Sequence, residues 1–218
     1  MISVIFDMDG LMLDTERVEV VACKAAADEL GYDMTEDLIL SVVGTTSLDT
    51  ERIFRDHLGP SFSYSTLREK WRGHTERLFV QDGIQHKEGL LSLLDLLDEH
   101  AVPKAVATQT RRAQAIQRLE RARISARFSN VVGGDEVVKG KPAPDILWKA
   151  AEKMGSRAAD CFVLEDSEAG ILAAHAAGMH PILVPDMKPP RTEIASLAIH
   201  VFPSLVQVRD YFQRMLEG

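Results

Sequence analysis

Cysteine is scarce in this chain: two in 218 residues, at positions 23 and 161. Each sits in an apolar segment and the two share no ligand-like spacing. They are expected to be reduced core thiols of a cytoplasmic protein, not a disulfide framework. Long apolar runs are missing as well. No stretch approaches the length of a membrane span, and the opening residues lack the basic lead and apolar core of a secretory signal. Basic charge is in deficit, with 25 Lys and Arg against 33 Asp and Glu and a net charge of −8. That argues against a nucleic-acid binder held by general basicity. A small anionic substrate stays open, because a bound metal or one aimed lysine can hold it. No glycine loop of the GxGxxG or Walker type occurs, so a nucleotide cofactor is not indicated, and the seven histidines form no zinc-like pair.

What is present fits a globular protein, 45% hydrophobic and 27% charged. The run Ile2-Ser3-Val4-Ile5-Phe6 reads as a buried strand. After residue 85 strands and helices alternate. Helices are predicted over 87–100, 111–123, 144–154, 168–177 and 204–216. Strands are predicted over 103–107, 130–132, 161–164 and 181–184. The strands are apolar throughout, which indicates a parallel sheet covered by helices on both faces. Residues 16–82 hold helical periodicity and no convincing strand. Breaks fall at Gly31, at Gly44-Thr45-Thr46 and at Gly59-Pro60, and Thr35 and Ser47 are expected N-caps. A helical insertion between the first strand and the remaining α/β unit follows from this pattern.

The polar residues then fall in register. The first strand ends at Asp7 with Asp9 beyond it, the second at Thr108. The third leads to Lys139-Gly140-Lys141-Pro142, and the fourth ends at Glu165-Asp166-Ser167. In an open parallel sheet the carboxyl ends share one edge, where ligands bind. Asp7, Asp9, Thr108, Lys141, Glu165 and Asp166 are therefore expected to converge, with the helical insertion as a lid. Carboxylates so crowded repel unless a divalent cation neutralises them, and an all-oxygen site suits Mg²⁺. A carboxylate beside a metal can attack phosphorus. A second acid can protonate the leaving oxygen and then activate water. A hydroxyl and an ammonium suit the other oxygens of a transferring phosphoryl group. Each piece also has a plain reading. Asp9-Gly10 can be a turn, Thr108 a strand end beside a helix cap at Thr110, Lys139 and Lys141 solvated lysines, and Asp166-Ser167 an N-cap pair.

The sequence resembles the haloacid dehalogenase superfamily of hydrolases, in the branch with a helical cap after the first motif. Phe6-Asp7-Met8-Asp9-Gly10-Leu11-Met12-Leu13-Asp14-Thr15-Glu16 is similar to its first motif, Val106-Ala107-Thr108 to the second, Gly140-Lys141-Pro142-Ala143-Pro144-Asp145 to the third, and Leu164-Glu165-Asp166-Ser167-Glu168-Ala169-Gly170-Ile171 to the fourth. The resemblance implies a Rossmann-like α/β core over 1–15 and 86–218 and an all-helical cap over 16–85. It implies Asp7 as nucleophile, Asp9 as general acid and base, and Thr108 and Lys141 on the phosphoryl group. Gln109 stands where a small residue is common and is placed with the phosphate-binding set. The implied Mg²⁺ ligands are the Asp7 carboxylate, the Asp9 carbonyl and Asp166, with Glu165 helping directly or through water. Asp14 is expected to support the loop. The dehalogenases lack the second acid of the first motif, so Asp9 with Asp166 favours phosphate chemistry.

Relatives resembling β-phosphoglucomutase carry a His and an Arg where this chain has Glu19 and Ser47, which weakens a mutase reading. Arg68, Lys70, Arg72 and Arg77 in the insertion read as a solvated face or as substrate contacts. The expectation is a Mg²⁺-dependent phosphatase acting on a small phosphomonoester such as a sugar phosphate, with no nucleic-acid or membrane partner. The alternatives are a phosphosugar mutase and a non-catalytic phospho-switch. Oligomeric state is not legible.

Overall fold

Residues 3–6, Ser-Val-Ile-Phe, are buried at all four positions and form strand β1 (Ser3–Phe6). A strand buried on both faces has to lie inside a sheet. The computed structural model describes residues 2–45 and 47–218. Its chain divides into two compact units, Met1–Asp14 with Gln85–Gly218, and Thr15–Ile84.

The second unit is helical throughout: α1 (Thr15–Glu29), α2 (Glu36–Ser41), α3 (Ser47–Leu58) and α4 (Tyr64–Asp82). Its own core joins Ala22, Cys23, Ala26 and Ala27 of α1 to Ile39, Phe54, Leu67 and Trp71. The spacing 22, 23, 26, 27 is the apolar stripe of an amphipathic helix. Thr35 caps α2 by accepting from the Leu38 amide at 3.2 Å. Ser47 is the first residue of its helix, not the expected cap, and Thr46 of the predicted break lies outside the described residues. Ser63, which the sequence did not single out, caps α4.

The first unit continues with α5 (Leu90–Glu99), β2 (Lys104–Thr108), α6 (Arg112–Arg121), β3 (Asn130–Gly133), α7 (Asp145–Met154) and β4 (Cys161–Glu165). Then come α8 (Glu168–Ala176), β5 (His180–Leu183), α9 (Thr192–Ala195), β6 (His200–Val201) and α10 (Leu205–Glu217). The sheet has six strands in the order β3-β2-β1-β4-β5-β6, every pair parallel. The expected α/β class is borne out. One sheet face carries Ile5, Ala105, Ala107, Cys161 and Val163 against Ile146, Leu147 and Ala150 of α7 and Ala173 and Ala174 of α8. The alternate residues face the other way, where Phe162 meets Phe212 of α10 edge-on at 5.3 Å and Phe6 meets Phe128 at 5.7 Å.

Two differences from the sequence reading have local causes. Helix α5 starts at Leu90 instead of residue 87, because Gly89 turns left-handed (φ 88°) and the Lys87 amide donates to the Met12 carbonyl at 2.9 Å. Strand β6 is an addition: two exposed residues paired to β5, too short to announce itself. Both cysteines are free and buried. Among the described residues no helix is long and apolar enough to cross a membrane.

Candidate active site at the strand ends

The chain passes from β1 to β2 and β3 on one side, then returns to lay β4 on the other side of β1. Between β1 and β4 the winding reverses, and the crevice at such a reversal is where open α/β sheets bind ligands. Phe6 is level with Leu164, and the Asp7 amide donates to the Leu164 carbonyl at 3.0 Å. Asp7 therefore leaves β1 beside Glu165 and Asp166 at the end of β4. Ligand oxygens of Asp7, Glu165 and Asp166 all lie within 4.8 Å of one another.

Lys141 reaches this cluster from the loop before α7. Its buried Nζ lies 2.6 Å from Asp7 Oδ1 and 2.5 Å from Glu165 Oε1, and donates to the Ala107 carbonyl at 2.9 Å. Three carboxylates against one ammonium leave two formal negative charges, which one divalent cation would balance. Burial pushes the Asp7 carboxyl up to about 8; Lys141 pulls it down, while Glu165 and Asp9 push it further up. Burial works against charge on Lys141 too, but Asp7 and Glu165 outweigh it and hold the ammonium above its ordinary value. Lys141 keeps its own proton, and its pull on Asp7 does not offset the burial of that carboxyl.

The walls are built to fit. Ser167 caps α8 by accepting from the Gly170 amide at 3.0 Å, and its hydroxyl donates to Glu165 Oε2 at 3.1 Å. A β-carbon on Gly170 would stand 1.9 to 2.2 Å from the Glu165 carboxylate, so only glycine leaves that side chain its place. Asp166 is half-buried at the same strand end.

Asp9 faces different partners. Arg118 of α6 places Nη1 2.5 Å from Asp9 Oδ1, while the Thr110 hydroxyl donates to Oδ2 at 2.7 Å and that of Thr108 at 3.4 Å. Thr110 is thus no helix cap: Arg111 holds the cap position of α6, and the Thr110 amide donates to Thr108 Oγ1 at 3.1 Å. Neither Thr110's contact nor Arg118 was read from the sequence. One signal was available, an arginine set between Ala115, Leu119 and Ala122, all buried on α6 and just beyond it.

The other candidates separate. Lys139 is exposed while Lys141 is buried. Gln109 is exposed, and its amide donates to the Lys141 carbonyl at 3.2 Å, tying two strand-end loops together. Asp14 lies 3.6 Å from Lys87, and its amide donates to the Gln85 carbonyl at 3.0 Å, the supporting position expected of it. In the helical unit Glu19 accepts the Thr75 hydroxyl at 3.0 Å. Lys70 pairs with Glu29 at 2.6 Å, Arg68 lies over the Trp71 ring at 4.9 Å, and Arg72 and Arg77 are exposed.

Residues 4–184 match the haloacid dehalogenase-like hydrolase family. The chain belongs to this family. Among its relatives is a phosphorylated carbohydrates phosphatase from Thermotoga maritima, 30% identical over 180 residues that make up 83% of each chain. Another is a β-phosphoglucomutase from Bacillus subtilis, 30% identical over 196 residues, 86% of this chain and 84% of that one. A crystal structure of a hydrolase from Pseudomonas syringae superposes with a TM-score of 0.80 at 25% identity, covering 99% of both chains. The family resemblance carried by the four sequence motifs is borne out. The polar strand ends of this haloacid dehalogenase-like hydrolase are the places where a six-stranded parallel sheet gathers its acids.

Proposed function

We propose that this haloacid dehalogenase-like hydrolase is a phosphatase that cleaves a small phosphomonoester, such as a sugar phosphate, through a phosphorylated Asp7. The carrying observation is the convergence of Asp7, Glu165 and Asp166 around Lys141 at the winding reversal, with Asp9 two residues beyond the nucleophile. The donor set is all carboxylate, with two formal negative charges beyond what Lys141 balances, which suits Mg²⁺. Asp7, Glu165 and Asp166 would hold it through their carboxylates and Asp9 through its backbone carbonyl. When bound, the cation supplies charge neutralisation at the transferring phosphoryl group and keeps Asp7 ionised.

Asp7 attacks phosphorus, and the bond from phosphorus to the ester oxygen breaks. Asp9 gives its proton to the departing oxygen. Thr108 and Lys141 hold the phosphoryl oxygens while charge shifts among them. Water then attacks phosphorus, Asp9 takes its proton, and the bond to Asp7 breaks, releasing phosphate. Substrate choice belongs to the helical unit Thr15–Ile84, which we read as the cap. The reading places the protein in the cytoplasm, where its two buried thiols stay reduced.

The β-phosphoglucomutase relative matches at the same identity as the phosphatase relative, so identity does not discriminate between them. Release of inorganic phosphate does. The test is a panel of small phosphomonoesters with Mg²⁺ and with chelator. Metal-dependent release from at least one ester is expected. Asp7→Asn is expected to lose more than about a thousandfold in turnover while staying folded. Interconversion of a hexose phosphate with little phosphate release would replace hydrolysis by the mutase. A stable phosphoprotein without turnover would replace it by the phospho-switch.

A further inference from the structure

A carboxyl group that donates and then recovers a proton has to be held in one orientation, because a displacement of about an ångström can cost a hundredfold in rate. Asp9 sits in the turn after β1, next to Gly10, which has a left-handed backbone (φ 85°). The fixing comes from outside: Arg118 on Oδ1 at 2.5 Å and Thr110 on Oδ2 at 2.7 Å, with Thr108 a third donor at 3.4 Å. The ion pair is largely withdrawn from water, with the Arg118 side chain 16% exposed and that of Asp9 23%. Arg118 leaves α6 beside the buried Ala115 and Leu119, so its stem is packed as well as its head. Helix α6 follows β2 and joins the same unit as β1, so the contact spans two elements of one body.

We propose that Arg118, with Thr110 as its second arm, is a positioning residue that acts on the reaction through Asp9. Its contact is with the Asp9 carboxylate, not with the Asp7 oxygen that attacks phosphorus. It holds the plane of the Asp9 carboxylate against the departing oxygen. This rests on the reading of Asp9 as the general acid.

That dependence makes the test specific. An ester with a poor leaving group, such as an alkyl phosphate, needs its oxygen protonated as it departs. p-Nitrophenyl phosphate does not, because nitrophenolate leaves unaided. The measurement is kcat/KM for both esters, with Mg²⁺, in the wild type and in Asp9→Asn, Arg118→Met, Arg118→Lys and Thr110→Val. Asp9→Asn is expected to lose roughly a hundredfold or more on the alkyl ester and far less on the aryl ester. Arg118→Met should show the same selectivity at about tenfold to a hundredfold. Arg118→Lys should recover part of the loss, and Thr110→Val should show a weaker version of it. If Arg118→Met does not fold, the lysine and valine variants carry the same selectivity test.

Equal losses on the two esters, or no loss on either, overturn the role of Arg118 while Asp9→Asn remains selective. If Asp9→Asn itself treats the esters alike, the assignment of Asp9 fails first and the role of Arg118 falls with it.

Discussion

Asp7 carries two opposing demands at the scale of one residue. Buried beside Lys141, its carboxyl is raised from 3.8 to about 8, so below that pH the metal-free protein holds it largely protonated. A raised acid favours the fold below its unfolded value, and the contribution is lost as pH climbs from about 4 to about 8. A cation has to displace that proton. Mg²⁺ affinity, measured by calorimetry, should therefore rise up to about tenfold per pH unit towards pH 8 and level off above it. Asp7→Asn should flatten the dependence. Gly170→Ala gives a second residue-scale outcome. Its new methyl falls on the Glu165 carboxylate, which is fully buried and has to leave Lys141 to make room. Mg²⁺ binding should weaken by about tenfold or more, the effect expected from displacing a group that orients metal ligands. At this scale the sequence was legible where a motif placed an acid at a strand end, as at Asp7, Glu165 and Asp166. It was silent on Arg118 and on Thr110's bond to Asp9. Both act across 101 to 109 positions of chain, and no local spacing encodes such a contact.

Among elements, apolar runs and periodicity revealed β1 to β5 and the helices α5 to α8 and α10, while the four-residue α9 was too short to show a period. The same reliance on pattern hid β6, whose two residues are exposed. It also blurred the start of α5. Lys87 and Glu88 extend the helical pattern, but the backbone turns at Gly89 and packs against the start of α10. A β-carbon there would lie 2.4 Å from the Val206 amide nitrogen and 2.7 Å from the Leu205 carbonyl carbon. Neither is a side-chain tip that can swing away. Gly89→Ala should therefore cost at least about 2 kcal/mol in urea unfolding, from overpacking together with the left-handed backbone. A variant of wild-type stability would mean that the two helices separate easily at this point.

For the whole molecule, the net charge of −8 and the acid-rich strand ends act in the same direction. Each excess carboxylate at the site opposes folding until a cation arrives. Anything that binds the folded chain alone stabilises it by mass action, about 2.7 kcal/mol at one hundred times the dissociation constant. Adding Mg²⁺ should raise the melting temperature by several degrees, and chelator should reverse it. Asp166→Asn and Glu165→Gln should each reduce the shift. An equal shift in all three proteins would place the cation elsewhere.

The two segments that lead to and from the helical unit are stitched to each other within the sheet unit. The Asp14 amide donates to Gln85, the Lys87 amide to Met12, and Leu13 bridges His86. To the sheet, everything from Thr15 to Ile84 is a loop whose two ends are already tied. Lengthening a tied loop adds only a slow logarithmic term to its closure entropy. The insert can therefore be cut out, exchanged or enlarged with little consequence for the register of the strands. If substrate choice belongs to this insert, as proposed, it is rewritten as a separate cassette while Asp7 and its neighbours stay in place.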